Sequence, residues 1–219
     1  MKSVRQIIAN LRDEYLNGGL NEKDISADPI EQFEKWLTEA VKHRINMPNA
    51  MHLATADSEG KPSGRMLLLK GFDERGFVFF TSYESRKGTE MESNKHASIT
   101  FFWSELYRQV RIEGVISKLP EAESDSYFAS RPRESKISTL ASAQSRILES
   151  RELLEEKFTV LDRKYKGKTI DRPAGWGGYY LSPSRIEFWQ GRAHRLHDRI
   201  VYVRDNDDAG AWKILRLYP

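Results

Sequence analysis

The sequence predicts a mainly β protein in which an antiparallel, barrel-like sheet is accompanied by flanking helices. Between residues 50 and 119, short apolar runs alternate with turns, and those turns are too short to hold the crossover helices of a parallel sheet. The sequence also lacks the glycine-rich fingerprints of doubly wound nucleotide folds and P-loops. Both observations favour hairpins over a parallel nucleotide-binding sheet.

The composition is that of a folded globular chain. Of 219 residues, 39% are hydrophobic and 31% are charged, which excludes the disordered and membrane classes. We expect one domain over residues 1–219, with N-terminal helices at about 2–46 and barrel elements at about 50–219. The formal charge of +3 is spread among interleaved signs, so a nucleic-acid partner, which steep salt dependence would reveal, is disfavoured.

The chain contains no cysteine, which excludes disulfides, thiolate nucleophiles and cysteine metal sites. Redox chemistry would therefore require a bound cofactor. No apolar run reaches the roughly 18 residues of a membrane span, and the charged N-terminus is unlike a signal peptide. We expect a cytoplasmic protein with no membrane partner.

Helical periodicity appears in four places. Apolar residues at helical spacing over 4–15 predict a first helix, and a second begins after Asp28, a suitable N-cap followed by Pro29. Further helices are expected over 120–130 and 151–165.

Short apolar runs predict the strands. The first group lies at 51–56, 65–72, 77–81, 97–103 and 107–119. After a glycine-rich stretch at 175–178, strands are expected again at 185–190, 196–204 and 211–217.

One basic segment near the C-terminus is a candidate anion site. In a strand, Arg195, His197 and Arg199 would point to the same face, where their charges repel unless an anion is present. A solvated edge strand is the alternative interpretation. Because Phe188 and Trp189 come just before, the segment favours a flat ring bearing a phosphate.

Two further segments combine cations with strand or loop positions. Arg65 and Lys70 bracket four apolar residues, and a loop at 81–88 carries Arg86 and Lys87 into a short helix. Backbone amides at a helix start, together with two cations, hold phosphate well. Taken singly, each segment is also consistent with an ordinary surface.

A third segment ends a predicted helix at Arg131 and Pro132, which brings Tyr127 and Ser135 near the same point of the chain. The short polar run 144–146 carries no specific signal by itself.

Together these segments resemble the pyridoxine/pyridoxamine 5′-phosphate oxidase family, in order from residues 11–15 to 212–214. The resemblance implies an FMN-binding split β-barrel and a homodimer in which both subunits line each flavin site. Three positions depart from the pattern: Phe80 stands where tyrosine is common, and Ala143 and Ala193 replace larger polar residues. A single serine, Ser145, also stands where two are common.

The resemblance also implies roles for individual residues. Arg195 and His197 would be catalytic. FMN contacts would come from Arg65, Met66, Leu67, Leu68, Leu69, Lys70, Phe80, Thr81, Arg86, Lys87, Gln109, Gln144, Ser145, Trp189 and Arg199. Substrate contacts would come from Arg12, Tyr15, Lys70, Tyr127, Arg131, Ser135, Arg195 and His197.

The implied activity is oxidation of pyridoxamine or pyridoxine 5′-phosphate to pyridoxal 5′-phosphate. Hydride would pass to the flavin, and dioxygen would reoxidise it to give hydrogen peroxide. Two alternatives remain open at this point: a split-barrel flavoprotein with another substrate, and a non-catalytic carrier of FMN or pyridoxal phosphate.

Overall fold

The computed structural model describes residues 18–204 and 211–219. Five α-helices occur in this part of the chain: α1 (Pro29–Lys42), α2 (Arg86–Ser93), α3 (Glu121–Ser130), α4 (Arg133–Ala141) and α5 (Arg151–Lys164). The helix predicted over 4–15, with Arg12 and Tyr15, lies outside the described residues.

Nine strands are present in the same part of the chain. They are β1 (Ala50–Ala56), β2 (Pro62–Leu68), β3 (Gly71–Asp73), β4 (Gly76–Ser82), β5 (His96–Trp103), β6 (Arg108–Lys118), β7 (Trp176–Gln190), β8 (Asp198–Arg204) and β9 (Trp212–Leu217). The predicted hairpin region between residues 50 and 119 is therefore confirmed as strands.

The chain divides into two compact units that are interleaved along the sequence. The central unit consists of Asn49–Thr100 and Ile112–Ser184. The terminal unit consists of 18–48, Phe101–Arg111, and residues 185–204 and 211–219 of the described chain. The interpretation of the chain as one domain stays a prediction.

In the central unit the strands follow the order β2-β1-β5-β6-β7-β4-β3. The pairs β1/β2, β1/β5, β3/β4 and β4/β7 are antiparallel, as the turns predict. One face of this sheet is apolar and buried. Its fully buried side chains include Met51, Leu53, Phe77, Phe79, Ile99, Ile112 and Leu181.

In the terminal unit β7 pairs with β8 and β8 with β9, both antiparallel. Helix α1 begins as predicted, because the Asp28 carboxylate accepts a 2.8 Å hydrogen bond from the Ile30 amide and Pro29 takes the first helical position. Its apolar stripe buries Phe33 and Trp36. Trp36 meets Phe188 edge to ring, with 5.2 Å between the centroids.

The run at 65–72 is two strands, not one. The Leu69 amide donates to the Asn49 carbonyl (2.9 Å), whereas the Lys70 amide donates to the Val78 carbonyl (2.9 Å). The chain therefore changes pairing partner between these two residues, and a corner separates β2 from β3. Corners of this kind are how a sheet curls toward a barrel.

Two other expectations needed correction. The glycine-rich stretch at 175–178 is not an interruption, because β7 already begins at Trp176. Gly178 is opposite Phe80 in the β4/β7 register, and a Cβ there would lie 2.8 Å from Phe80 Cε1. Its missing side chain leaves room for the ring. The stop at Pro132 is also immediately followed by α4, a helix that the sequence did not predict.

Candidate functional site

The central unit contains a cavity of about 590 Å³. It is lined by the end of β2, the end of β4, the junction of α3 and α4, and the start of β7. Among its lining residues are ten that the resemblance implies for cofactor or substrate: Met66, Leu67, Leu68, Lys70, Phe80, Thr81, Tyr127, Arg131, Ser135 and Gln144.

One wall of the cavity is a set of parallel aromatic rings. Phe80 and Tyr127 are stacked with 3.7 Å between centroids, and Trp176 lies parallel to both, 5.6 Å from Phe80 and 6.2 Å from Tyr127. Trp176 had not been predicted to belong to the site. Flat rings held in this way offer a surface on which another planar ring can lie.

Arg131 brings a positive charge to this wall. Its guanidinium carbon lies 4.7 Å from the centroid of Trp176, and Nη1 donates a 2.7 Å hydrogen bond to Thr139 Oγ1. Burial lowers the pKa of Arg131 and raises that of the Tyr127 phenol. At neutral pH the phenol is therefore protonated and can donate, beside a cation that remains charged.

Helix α4 presents a row of hydroxyl groups to the cavity. Ser135, Ser138 and Thr139 of this helix line it, and so does Ser142, the residue directly after the helix; the spacing is i, i+3, i+4 and i+7. Only Ser135 was predicted. The helical spacing of these four hydroxyls was the signal in the sequence that would have found the others.

Lys87 lies behind the cavity and is 6% exposed. Its ammonium group donates to Thr81 Oγ1 (3.3 Å), Ser85 Oγ (3.4 Å) and Gln144 Oε1 (3.4 Å), which are all neutral oxygens. Burial lowers its pKa and the nearby charge of Arg65 lowers it further, although the charge of Glu90 opposes this. A buried ammonium with neutral partners suits a phosphate group, which would restore the charge balance.

Arg65 and Arg86 are both held by Glu90, a residue that the sequence did not single out. Arg86 Nε donates to Glu90 Oε1 at 2.8 Å and Arg65 Nη2 to Oε2 at 3.2 Å. Burial raises the pKa of Glu90, but hydrogen bonds from Ser63, Thr55 and the two arginines outweigh it and hold the pKa at about 2. The carboxylate is thus ionised at all ordinary pH values.

The remaining candidates lie in the terminal unit and are absent from the cavity lining: Gln109, Trp189, Arg195, His197 and Arg199. Arg199 makes a two-pronged ion pair with buried Glu187, from Nε to Oε1 at 3.0 Å and from Nη2 to Oε2 at 2.9 Å. Of the other predicted positions, Leu69 is buried, whereas Ser145 is exposed with a left-handed φ of 70°.

The predicted strand face shared by Arg195, His197 and Arg199 is wrong. β8 begins only at Asp198, so Arg195 and His197 precede it. The reason is a turn in which both His194 (φ 58°) and Arg195 (φ 60°) take left-handed conformations. The strand predicted over 196–204 therefore begins two residues later than expected, at Asp198.

The structure identifies the tautomer of His197. The Arg192 backbone amide donates to His197 Nδ1 at 3.1 Å, so this nitrogen carries no proton in the neutral ring and Nε2 does. Burial and the charge of Arg195 lower the pKa of His197, although Asp198 opposes this. The neutral ring therefore prevails at physiological pH and offers an Nε2–H donor.

Two features are absent from the described residues. No helix among them is long and apolar enough to cross a bilayer. Within the same residues, no three histidine or acidic side chains are grouped in a way that could hold a metal ion.

Sequence comparison identifies relatives over the whole chain. Residues 37–163 match the family described as pyridoxamine 5′-phosphate oxidase, and residues 176–219 match the pyridoxine 5′-phosphate oxidase C-terminal dimerisation region. A Rubrobacter xylanophilus protein named pyridoxine/pyridoxamine 5′-phosphate oxidase is 50% identical over 100% of this chain and 99% of its own length. A Burkholderia mallei protein of the same name is 52% identical over 97% and 99%.

Solved structures agree on the fold. PhzG from Burkholderia lata, in complex with tetrahydrophenazine-1-carboxylic acid, has a TM-score of 0.85 and 35% identity, covering 90% of this chain and 95% of its own. A pyridoxamine 5′-phosphate oxidase-related, FMN-binding protein from Nostoc punctiforme has a TM-score of 0.69 at 15% identity, covering 89% and 100%, which shows the fold alone.

The antiparallel sheet has the fold of the split β-barrel class, and its cavity combines cationic and aromatic side chains. The chain belongs to the pyridoxamine 5′-phosphate oxidase family of oxidoreductases. FMN is its cofactor, and its dimerisation region supports a homodimer.

Proposed function

We propose that this protein oxidises pyridoxamine 5′-phosphate or pyridoxine 5′-phosphate to pyridoxal 5′-phosphate, with dioxygen as the acceptor and hydrogen peroxide as the second product. The observation that carries the proposal is that Lys70, Tyr127, Arg131 and Ser135 all line the same cavity. Two cations and two hydroxyl groups are the donors that a dianionic phosphate requires. The names of the relatives at about 50% identity support the same substrate.

The cofactor would be held mainly by residues of the central unit. Lys87, Arg65 and Arg86 supply charge for its phosphate, and Gln144 and Thr81 supply polar contacts beside Lys87. The backbone of residues 66–69 would run beside the ring system, as the resemblance implies. When bound, FMN supplies hydride acceptance and subsequent reaction with dioxygen.

The protein's own residues bind and orient the substrate. In our proposal, Arg131 and Tyr127 hold the substrate phosphate, while Arg195 fixes the substrate ring and His197 donates a hydrogen bond from Nε2. Positioning of this kind turns an encounter between two planar molecules into an effectively unimolecular step. The alcohol loses a hydride and a proton to become the aldehyde, and the amine yields an imine that water converts to the aldehyde and ammonia.

We further propose that the protein acts as a homodimer in which both subunits line each cofactor site. The matched dimerisation region at residues 176–219 includes Trp189, Arg195, His197 and Arg199. Sedimentation of the FMN-loaded protein at micromolar concentration tests the oligomeric state, and a monomer that retains full activity would contradict this arrangement.

A second candidate substrate is a tricyclic carboxylic acid, because the PhzG structure was solved with tetrahydrophenazine-1-carboxylic acid. A carboxylate carries one charge and two oxygens, whereas the cavity gathers Lys70, Arg131 and two hydroxyls. That excess of donors favours a phosphate.

One assay separates these candidates. The purified protein is loaded with FMN and mixed aerobically with pyridoxamine 5′-phosphate, pyridoxine 5′-phosphate, unphosphorylated pyridoxamine or tetrahydrophenazine-1-carboxylic acid. We expect aldehyde and peroxide in equal amounts from the two phosphates, and a kcat/KM lower by about a hundredfold or more without the phosphate. Flavin binding without turnover would identify a carrier, and turnover of the tricyclic acid alone would identify the second candidate.

A further inference from the structure

A buried carboxylate in the second turn of α2 connects the two arginines of the cofactor site. Glu90 is 5% exposed and accepts hydrogen bonds from Arg65 and Arg86. We propose that Glu90 is a positioning residue for the cofactor phosphate, which holds both guanidinium groups in their binding orientation before the cofactor arrives. This inference rests on the proposed function, because it requires FMN to bind with its phosphate near these arginines.

The contacts of the carboxylate are divided between its two oxygens. Oε1 accepts from Arg86 Nε at 2.8 Å. Oε2 accepts from Thr55 Oγ1 at 2.5 Å, from Ser63 Oγ at 2.6 Å and from Arg65 Nη2 at 3.2 Å. Four donors fix the carboxylate group, so it is a rigid support for the two arginines rather than a mobile counterion.

The secondary structure explains why these groups meet. Thr55 and Ser63 are directly opposite in the β1/β2 register, and Arg65 follows Ser63 by two residues, on the same face of the strand. Arg86 precedes Glu90 by one helical turn, and the two form an i, i+4 pair. Glu90 therefore joins a cation of the sheet edge to a cation of the helix start.

The carboxylate of Glu90 reduces the repulsion between the cations of the cofactor site. Arg65 lowers the pKa of Lys87, which shows that the gathered cations repel one another. An ionised carboxylate between the arginines offsets part of this repulsion, and the cations can stay together while no phosphate is bound. Pre-organisation of this kind reduces the free energy that ordering costs at the moment of binding.

A purely structural role for Glu90 would be to tie α2 to β1 and β2. The two roles differ in what they do to flavins that lack a phosphate. A structural defect weakens FMN and riboflavin alike, whereas loss of arginine orientation weakens only FMN. The difference between the two affinities therefore measures positioning and not folding.

The experiment measures the Kd of FMN and of riboflavin by quenching of flavin fluorescence, together with the Tm of the cofactor-free protein. For Glu90→Gln we expect the Kd of FMN to rise about five- to thirtyfold, with riboflavin changed by less than about twofold. Glu92→Gln is the matched control: it lies on the same helix and pairs with Lys95 and Lys118, both at 3.4 Å, but its side chain is 63% exposed. We expect this variant to bind both flavins as the wild type does.

A double-mutant cycle with Arg86→Gln adds a second measurement. The Arg86 side chain is 65% exposed, so its loss spares the fold. If Glu90 acts through Arg86, the double variant loses less free energy of FMN binding than the sum of the losses in the two single variants. Should Glu90→Gln fail to fold, Glu90→Asp keeps the charge on a side chain that is shorter by one methylene group. We expect this variant also to raise the Kd of FMN more than the Kd of riboflavin.

The outcomes separate the two proposals. A wild-type protein that binds FMN no better than riboflavin contradicts the proposed cofactor site itself. A wild type that prefers FMN, with a Glu90→Gln variant that keeps or strengthens this preference, overturns the positioning role alone, because the carboxylate would then act only as a competing negative charge.

Discussion

The ring of Phe80, in β4, lies parallel to the ring of Tyr127, in α3, with 3.7 Å between their centroids and 14° between their planes. This contact joins the sheet of the central unit to the helix that Arg131 directly follows. Because Gly178 leaves space for the Phe80 ring, the stack depends on three elements of that unit at once. The phenol of Tyr127 is thereby fixed at the cavity wall.

The stack and the hydroxyl of Tyr127 can be tested separately. Tyr127→Phe keeps the ring contact, so we expect a Tm within about 1 °C of the wild type and a KM for the phosphorylated substrate raised about tenfold, since one hydrogen bond to an anion is lost. Tyr127→Ala should raise KM similarly and also lower the Tm by several degrees. Equal KM values for wild type and Tyr127→Phe would mean that the hydroxyl does not contact the substrate.

Arg131 should act on the substrate and not on the cofactor. We expect Arg131→Ala to raise the substrate KM by about a hundredfold through loss of a charge-assisted pair, with the Kd of FMN changed by less than about twofold. Arg133→Ala provides the comparison, because Arg133 pairs instead with Asp162 on α5. An Arg131 variant that loses both affinities together would show that the assigned division of roles is wrong.

Lys87 should give FMN binding a dependence on pH. Burial depresses its pKa below the ordinary 10.5, and a bound phosphate would raise it again, so the cofactor binds together with a proton once the pH exceeds the depressed value. Affinity for FMN should then fall over the alkaline range below 10.5, as the pH rises through the depressed pKa of Lys87, where an unperturbed lysine would remain charged. Titrations of flavin fluorescence over this range measure the slope.

The same residue carries a stability prediction. A charged lysine with a depressed pKa costs the folded state free energy at every pH below that pKa, and the cost is relieved as the pH rises through it. Lys87→Met should therefore raise the Tm of the cofactor-free protein at neutral pH while weakening FMN. Lys87→Arg should abolish the alkaline loss of FMN affinity, since arginine stays charged. A Lys87→Arg protein with the wild-type slope would assign the titration to another group.

Arg199 should be needed for stability as well as for the cofactor. Its removal leaves the carboxylate of Glu187, which is 2% exposed, with the longer contacts to Arg111 and Arg185, each at 3.9 Å. We expect Arg199→Ala to destabilise the fold by about 3 kcal/mol, as for other broken buried pairs. Chemical denaturation provides the measurement.

A paired change then isolates the cofactor role of Arg199. The variant Arg199→Met with Glu187→Met replaces both charges by apolar groups and should recover most of the stability. If Arg199 contacts FMN, the recovered protein still binds FMN weakly. Recovery of stability and FMN affinity together would assign Arg199 a structural role only.

Periodicity predicted most of the secondary structure because each element follows its own local pattern. Helix α1 shows a cap, a proline and an apolar stripe, and its observed start is the predicted one. The corner at residues 69–70 was not predictable in this way, because the apolar run is continuous and the change of hydrogen-bond partner is a tertiary event. The same holds for Glu90, since a glutamate in a short polar helix has the pattern of an exposed residue.

The backbone conformation of residues 194 and 195 was also not predictable from the sequence. His194 and Arg195 take positive φ values that sequence rules assign to glycine and asparagine, so the residue types gave no sign of a turn. The lining of the cavity was predicted better: the resemblance named ten of its residues and missed Ser82, Pro132, Ser138, Thr139, Ser142 and Trp176. The chemical roles of all these residues stay predictions.

The left-handed conformations of His194 and Arg195 imply a trade-off between thermal stability and the proposed activity. Glycine would adopt those dihedral angles without the steric cost that a side chain brings, so a laboratory selection for thermal survival alone should enrich glycine at position 195. The surviving proteins would have a higher Tm but would lack the guanidinium that we propose fixes the substrate ring. An engineer seeking a more durable catalyst should therefore leave this turn unaltered and look for added stability elsewhere in the chain.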